Sequence, residues 1–193
     1  MARRRTLLVL ISALLLTAWA APAVASATPS LNQYCTIEGV HPGQTPAHSI
    51  HCFSTFAASI AYASGGRIQL KNAAHARPLT AAELAEQVLP NDAGTGSYIY
   101  GVDYTKTFGG GQSLTFHGPG PCSSGPWLFP DFQSPWNNNI ASLYSHNSGC
   151  YTDLYDGPHF GGTICPFTAG AHDTLGSCNN IASSQKWCGN YAC

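Results

Sequence analysis

The alternation of apolar and polar positions changes character several times along this chain. It starts with an unbroken apolar run, Leu7 to Ala21, behind the basic cluster Arg3-Arg4-Arg5. Residues 28–52 show no period and are expected to be irregular. Phe56, Ile60 and Ala63 then recur at helical spacing, with Ser54 or Thr55 available as a cap and Gly65-Gly66 as a stop. Arg67-Ile68-Gln69-Leu70 alternates as a short strand would. A second helix is predicted after Thr80. Glu83, three residues on, completes a capping box, Leu79 and Leu84 stand at staple positions, Leu84, Val88 and Leu89 give an apolar stripe, and Pro90 follows its end. Residues 91–96, rich in Asn, Asp and Gly, read as a linker.

Beyond the linker the texture is that of strands. Ser97 to Val102 is aromatic and β-branched, and Gln112 to Phe116 alternates. Cys150 to Tyr155 is a third strand signal and Thr163 to Phe167 a fourth, placed at a sheet edge by Pro166. Residues 122–136 carry Pro126, Pro130 and Pro135 among several aromatics and are expected to form an insertion on the surface of the first repeat.

Two identities organise this half. Phe-Gly-Gly occurs at Phe108–Gly110 and at Phe160–Gly162, and Asn-Asn-Ile-Ala-Ser occurs at Asn138–Ser142 and at Asn179–Ser183. Each copy of the second follows a copy of the first, so the whole unit repeats, and a repeat outranks local propensity in assigning a fold. The Phe-Gly-Gly glycines are expected to serve a folded-over hairpin, with the aromatic ring packed across it.

Composition adds the compartment. The basic cluster, the apolar run and the small-x-small sites at Ala23–Ala25 and Ala25–Ala27 make residues 1–27 a signal peptide, with cleavage before Thr28. Three of the eight Lys and Arg lie in that leader. The mature chain keeps five against nine Asp and Glu, a net charge of −4, with its basic residues scattered. That argues against nucleic acid as a partner class, and no later segment is long and apolar enough for a membrane span. All 8 cysteines lie beyond the leader, which in an exported chain reads as a disulfide framework. Spacing suggests Cys35–Cys52 as a self-contained bridge and Cys188–Cys193 as a closure of the C-terminus. The other four are left open. The absence of Cys-x-x-Cys argues against structural zinc.

The run Asn138 to Tyr144, followed by Gly149 to Gly162, resembles the join between two Greek-key motifs of the βγ-crystallin family. Tyr155, Phe160 and Gly162 fit that family's hairpin pattern, and Asn179 to Ser184 fits its closing motif at every specified position. The resemblance spans about residues 97–188. It implies an all-β, βγ-crystallin-like double Greek-key sandwich over 97–193, with keys at about 97–143 and 144–188. A small helical N-terminal segment, 28–90, precedes it.

The same resemblance implies calcium (Ca2+) ligation. Asn139 and Asn180 would act through side chains, Ile140 and Ile181 through carbonyls, and Ser142 and Ser183 through hydroxyls. Calcium takes 6–8 oxygen ligands, and Asn, Ser and free carbonyls supply them. Leu143 stands where the first motif should end in Ser, and Asn in place of Asp brings no charge, which puts the expected affinity at the weak extracellular end. Asn and Ser also shape turns without a metal. Secreted bacterial members of the family include metalloproteinase inhibitors. The alternative function is therefore inhibition of an extracellular protease, with Ser123 to Pro135 as the candidate loop. The 8 histidines are expected in surface loops, and neither Gly-x-Ser-x-Gly nor His-Glu-x-x-His is present. The expectation is a secreted binding or structural protein and not an enzyme.

Overall fold

In a computed structural model, residues 33–45, 50–71, 73–85, 97–146, 149–190 and 193 are described. The leader, the linker and the far end of the second predicted helix lie outside them. The elements run β1 (Tyr34–Glu38), β2 (Ile50–Phe53), α1 (Phe56–Ala63), α2 (Ala81–Ala85), β3 (Tyr98–Lys106), β4 (Gly110–Gly118), β5 (Trp127–Phe129), β6 (Ser142–Ser145), β7 (Tyr151–Tyr155), β8 (Ile164–Phe167), β9 (Ala171–His172) and β10 (Ser184–Cys188).

These strands build two sheets, ordered β2-β1-β4-β3-β6-β9 and β5-β10-β7-β8. The first repeat is β3 to β6 and the second β7 to β10. Each sends its third strand to the other's sheet: β5 pairs with β10, and β9 with β6. This exchange makes the double Greek key, and the fold is βγ-crystallin-like. β8 is an edge strand, as Pro166 requires. Between the sheets lie Leu114, Phe116, Trp127, Phe129, Phe132, Trp136, Ile140, Leu143, Leu154 and Trp187.

Three expectations are corrected. Residues 28–52 are not wholly irregular, since β1 and β2 form a hairpin with Cys35 opposite Cys52. β1 also adds in parallel to β4. Its residues Tyr34 to Ile37 are buried on both faces, so no polar alternation marks it in the sequence. Arg67 to Leu70 is not a strand; Ile68 is buried instead in a second cluster with Phe56, Ile60, Ile99, Val102, Tyr104 and Tyr144 on the outer face of the larger sheet. Residues 122–136 are not a surface insertion. They supply β5 and four core aromatics, because the exchanged third strand must run through the interior to reach the other sheet.

The helix ends follow their signals. Thr55 caps α1 through Ala58 N at 3.2 Å. The capping box of α2 closes with Thr80 N donating to Glu83 Oε2 at 2.8 Å and Glu83 N to Thr80 Oγ1 at 3.3 Å. The four disulfides are Cys35–Cys52, Cys122–Cys150, Cys165–Cys178 and Cys188–Cys193. Such a framework persists in oxidising compartments. None of the bridges joins residues 33–85 to residues 97–193. Among the described residues no helix is long and apolar enough to cross a membrane.

Candidate functional site

The two Asn-rich loops meet where the sheets join, and their backbones are related by an approximate twofold. Asn138 N donates to Ala182 O at 2.8 Å, and Asn180 N to Ile140 O at 2.8 Å. Ala141 N donates to Tyr104 O at 2.8 Å, and Ser183 N to Tyr155 O at 2.7 Å. Asn138 and Asn180 both take positive φ, 56° and 57°, a conformation that Asn tolerates better than most side chains.

The folded hairpins agree. Ser142 Oγ donates to Lys106 O at 2.7 Å and accepts from Gly109 N at 3.1 Å. Ser184 Oγ donates to Gly157 O at 2.7 Å and accepts from Phe160 N at 3.0 Å. Gly111 and Gly162, at φ 81° and 77°, occupy matching places. Beside them Thr105 Oγ1 accepts from Gln112 N at 3.0 Å, and Asp156 Oδ1 from Thr163 N at 2.7 Å.

The repeat seen in the sequence is therefore one residue out of step with the repeat of the structure. Asn138 matches Asn180, Ala141 matches Ser183, and Ser142 matches Ser184. Leu143 is not a defect, because Ser142 is the closing serine of the first motif. The defect lies one residue earlier, at Ala141, which has no hydroxyl. The Phe-Gly-Gly identity slips in the same way. Phe108 (φ 58°) matches His159 (φ 52°), and Gly109 matches Phe160. Phe160 packs on Tyr155 with ring centroids 5.5 Å apart, but Phe108 is 69% exposed and has no ring contact among the described residues.

In the first loop each implied ligand already has a hydrogen-bonding role. Asn139 Nδ2 donates to Pro135 O at 3.0 Å, the Ile140 carbonyl is held by Asn180, and the Ser142 hydroxyl is held in the hairpin. In the second loop Asn180 is exposed and Ile181 half-buried, while Ser183 is buried. Ser183 is the point of convergence. Asn137 Oδ1 lies 2.7 Å from its Oγ, the Asp156 carbonyl 2.9 Å and Asn138 Oδ1 3.3 Å. A hydroxyl has one proton to donate, yet three oxygens face this one. Sequence inspection missed Asn137, Asn138 and Asp156 here. The three consecutive asparagines 137–139 left the frame open, and the positive φ that settles it is not visible in a sequence.

Among the described residues, no three His, Cys, Asp or Glu side chains cluster as a metal site. Two nearby carboxylates are engaged elsewhere, Asp156 by Thr163 N and Asp131 with His159 at 3.5 Å. The donors around Ser183 are thus neutral amide, hydroxyl and carbonyl oxygens. They fit a hard cation in kind, and they contribute no formal charge.

The histidines are not all superficial. His117 and His146 are buried. Burial, with His51 adding repulsion, brings His117 down to about 4, while burial brings His146 down to about 3. Of the proposed inhibitory loop, Trp127, Phe129 and Phe132 are core residues, while Ser123, Ser124, Gln133 and Ser134 are exposed.

The chain is similar over about half its length to known βγ-crystallin domains. One from Clostridium beijerinckii aligns with 47% of this chain and 99% of its own at 22% identity, with a TM-score of 0.38. A βγ-crystallin from an archaeon covers 46% of this chain and 95% of its own at 21% identity and a TM-score of 0.35. The N-terminal domain of protein S covers 48% and 98% at 19% identity, with a TM-score of 0.37. No protein-family model matches the chain, and no curated protein matches its sequence. The fold assignment stands on the exchanged strands and paired hairpins.

Proposed function

We propose that this protein is an exported, disulfide-stapled βγ-crystallin-like binding domain that takes up calcium at the Ser183 cluster. The observation that carries this reading is the surplus of acceptors: three oxygens converge on a hydroxyl able to satisfy one of them. A cation among these oxygens relieves that mismatch. Asn137 and Asn138 would hold it from the first loop, Ser183 from the second, and the Asp156 carbonyl from the hairpin. The ion would supply positive charge to an acceptor-rich point and join the two repeats across it. With no carboxylate in the set, affinity falls in the weak extracellular range, about 10⁻⁴–10⁻³ M.

The test is calorimetric titration of the mature, oxidised protein with millimolar calcium, with magnesium in parallel and melting followed at each concentration. Saturable calcium heat with a raised melting temperature is expected, and a much weaker response to magnesium, which sheds its waters reluctantly. No heat and an unchanged melting temperature would refute the reading. Export itself is tested by N-terminal sequencing of the secreted form, which should begin near Thr28.

Protease inhibition has less support. The candidate loop is half core, and no exposed side chain in it marks a target.

A further inference from the structure

On that reading, we infer that the chain holds one cation and not two, and that residue 141 sets the number. The approximate twofold defines a second place equivalent to the Ser183 cluster. There Asn180 stands for Asn138, the hairpin residue Thr105 for Asp156, and Ala141 for Ser183. The backbone of the two places is matched to within about 0.1 Å in the hydrogen bonds that position residues 141 and 183. They differ in chemistry at the hub. Ser183 puts an oxygen at the centre of three acceptors, whereas Ala141, 5% exposed, puts a methyl group at the corresponding point. A methyl group offers a cation no lone pair and keeps neighbouring carbonyls apart from it. Asn180 is exposed there.

The exact repetition of Asn-Asn-Ile-Ala-Ser conceals this asymmetry. Aligned by identity, both loops carry a serine at the fifth position and the fault of the first motif falls on Leu143. Aligned by backbone, one hydroxyl is missing. The backbone of the second place already matches the first, so a hydroxyl added at residue 141 should supply the hub it lacks.

Equilibrium dialysis of the full mature chain against calcium, with melting followed alongside, tests this on four proteins. The wild type should bind one ion per chain, Ser183→Ala none, Ala141→Ser two, and the double variant Ser183→Ala/Ala141→Ser one. Ala141→Thr serves as a second route to the added hydroxyl should the serine variant fold poorly. Calcium-free melting temperatures and circular dichroism establish that each variant is folded. Two ions on the wild type would overturn the one-site inference while leaving calcium binding intact. One ion on folded Ala141→Ser and Ala141→Thr alike would overturn the role of residue 141. One ion retained by folded Ser183→Ala would overturn the assignment of the site to Ser183. No ion on any of the four would overturn both this inference and the calcium reading beneath it.

Discussion

Asp103 Oδ2 and the side-chain amide of Gln185 lie 2.8 Å apart, both fully buried between the two sheets. Asp103 is fully buried, and its Oδ1 has no partner. Burial raises the carboxyl well above its ordinary value of 3.8, a rise that the Gln185 contact only moderates. The folded chain therefore keeps a proton that the unfolded chain releases. The contribution to stability is greatest below pH 3.8 and is lost as the pH rises from there towards the raised folded value. Asp103→Asn, which stays neutral, should raise the melting temperature at pH 7, with a gain of about 1–2 kcal/mol by the scale of a relieved buried polar group. Melting curves from pH 4 to 8 check this. An unchanged or lower melting temperature at pH 7 would contradict it.

His117 and His146 act with the opposite sign. His117 Nδ1 lies 2.8 Å from Ser97 Oγ with the Tyr62 ring edge-on, and His146 Nε2 is buried without a partner. Both are neutral in the fold and take up protons once unfolded. The stability they contribute is full above pH 6.5 and is lost as the pH falls through about 4 for His117 and about 3 for His146. Roughly 2 kcal/mol should go from each by pH 4.5. Denaturant titrations at pH 7 and pH 4.5 measure the loss, and His117→Asn or His146→Gln should flatten it.

Gly162 cannot carry a side chain. Its φ is 77°, and an added Cβ would run into Asp156 Oδ1, the atom that holds Thr163 N. Gly162→Ala should cost at least about 2 kcal/mol through strain and the lost cap. Gly111→Ala, at φ 81° against Thr105 Oγ1, should cost a similar amount. Gly149, also at positive φ but with open space around it, should lose only the backbone part, about 1 kcal/mol. Chemical denaturation of the three variants ranks them, and equal losses would remove the role of the hairpin cap.

Trp127 tests whether the proline-rich stretch belongs to the core. It stacks on Tyr100 at 5.4 Å, meets the His41 ring at a tilt with centroids 3.9 Å apart, and donates from Nε1 to Pro121 O at 3.1 Å. Trp127→Ala should destabilise by about 3–5 kcal/mol. A loss under 1 kcal/mol would mean that the segment is peripheral after all.

Much of the architecture was legible because it rests on local signals. Thr55, and Thr80 with Glu83, each mark a helix start, and Pro166 marks an edge strand, through local backbone constraints. The double Greek key was legible through its repeats. What was hidden depends on long-range burial. Tyr34 to Ile37 carry no polar face because both faces of β1 are covered, and Trp127 to Phe129 resemble a loop because prolines surround them. The site failed for a different reason. Asn137, Asn138 and Asn139 are interchangeable letters, and only the φ of Asn138 and the partner of Ser142 show which asparagine stands opposite Asn180.

The parallel pairing of β1 with β4 has a consequence for how the chain is made. Tyr34 sits opposite Ser113, so a strand synthesised early must wait until about eighty further residues have emerged before its partner exists, and closure at such separations is slow. In the interval the Cys35–Cys52 loop can close on its own and hold β1 and β2 as a ready-made hairpin. The hairpin would then be complete before β4 exists and would dock as soon as β4 has been made, ahead of the second repeat.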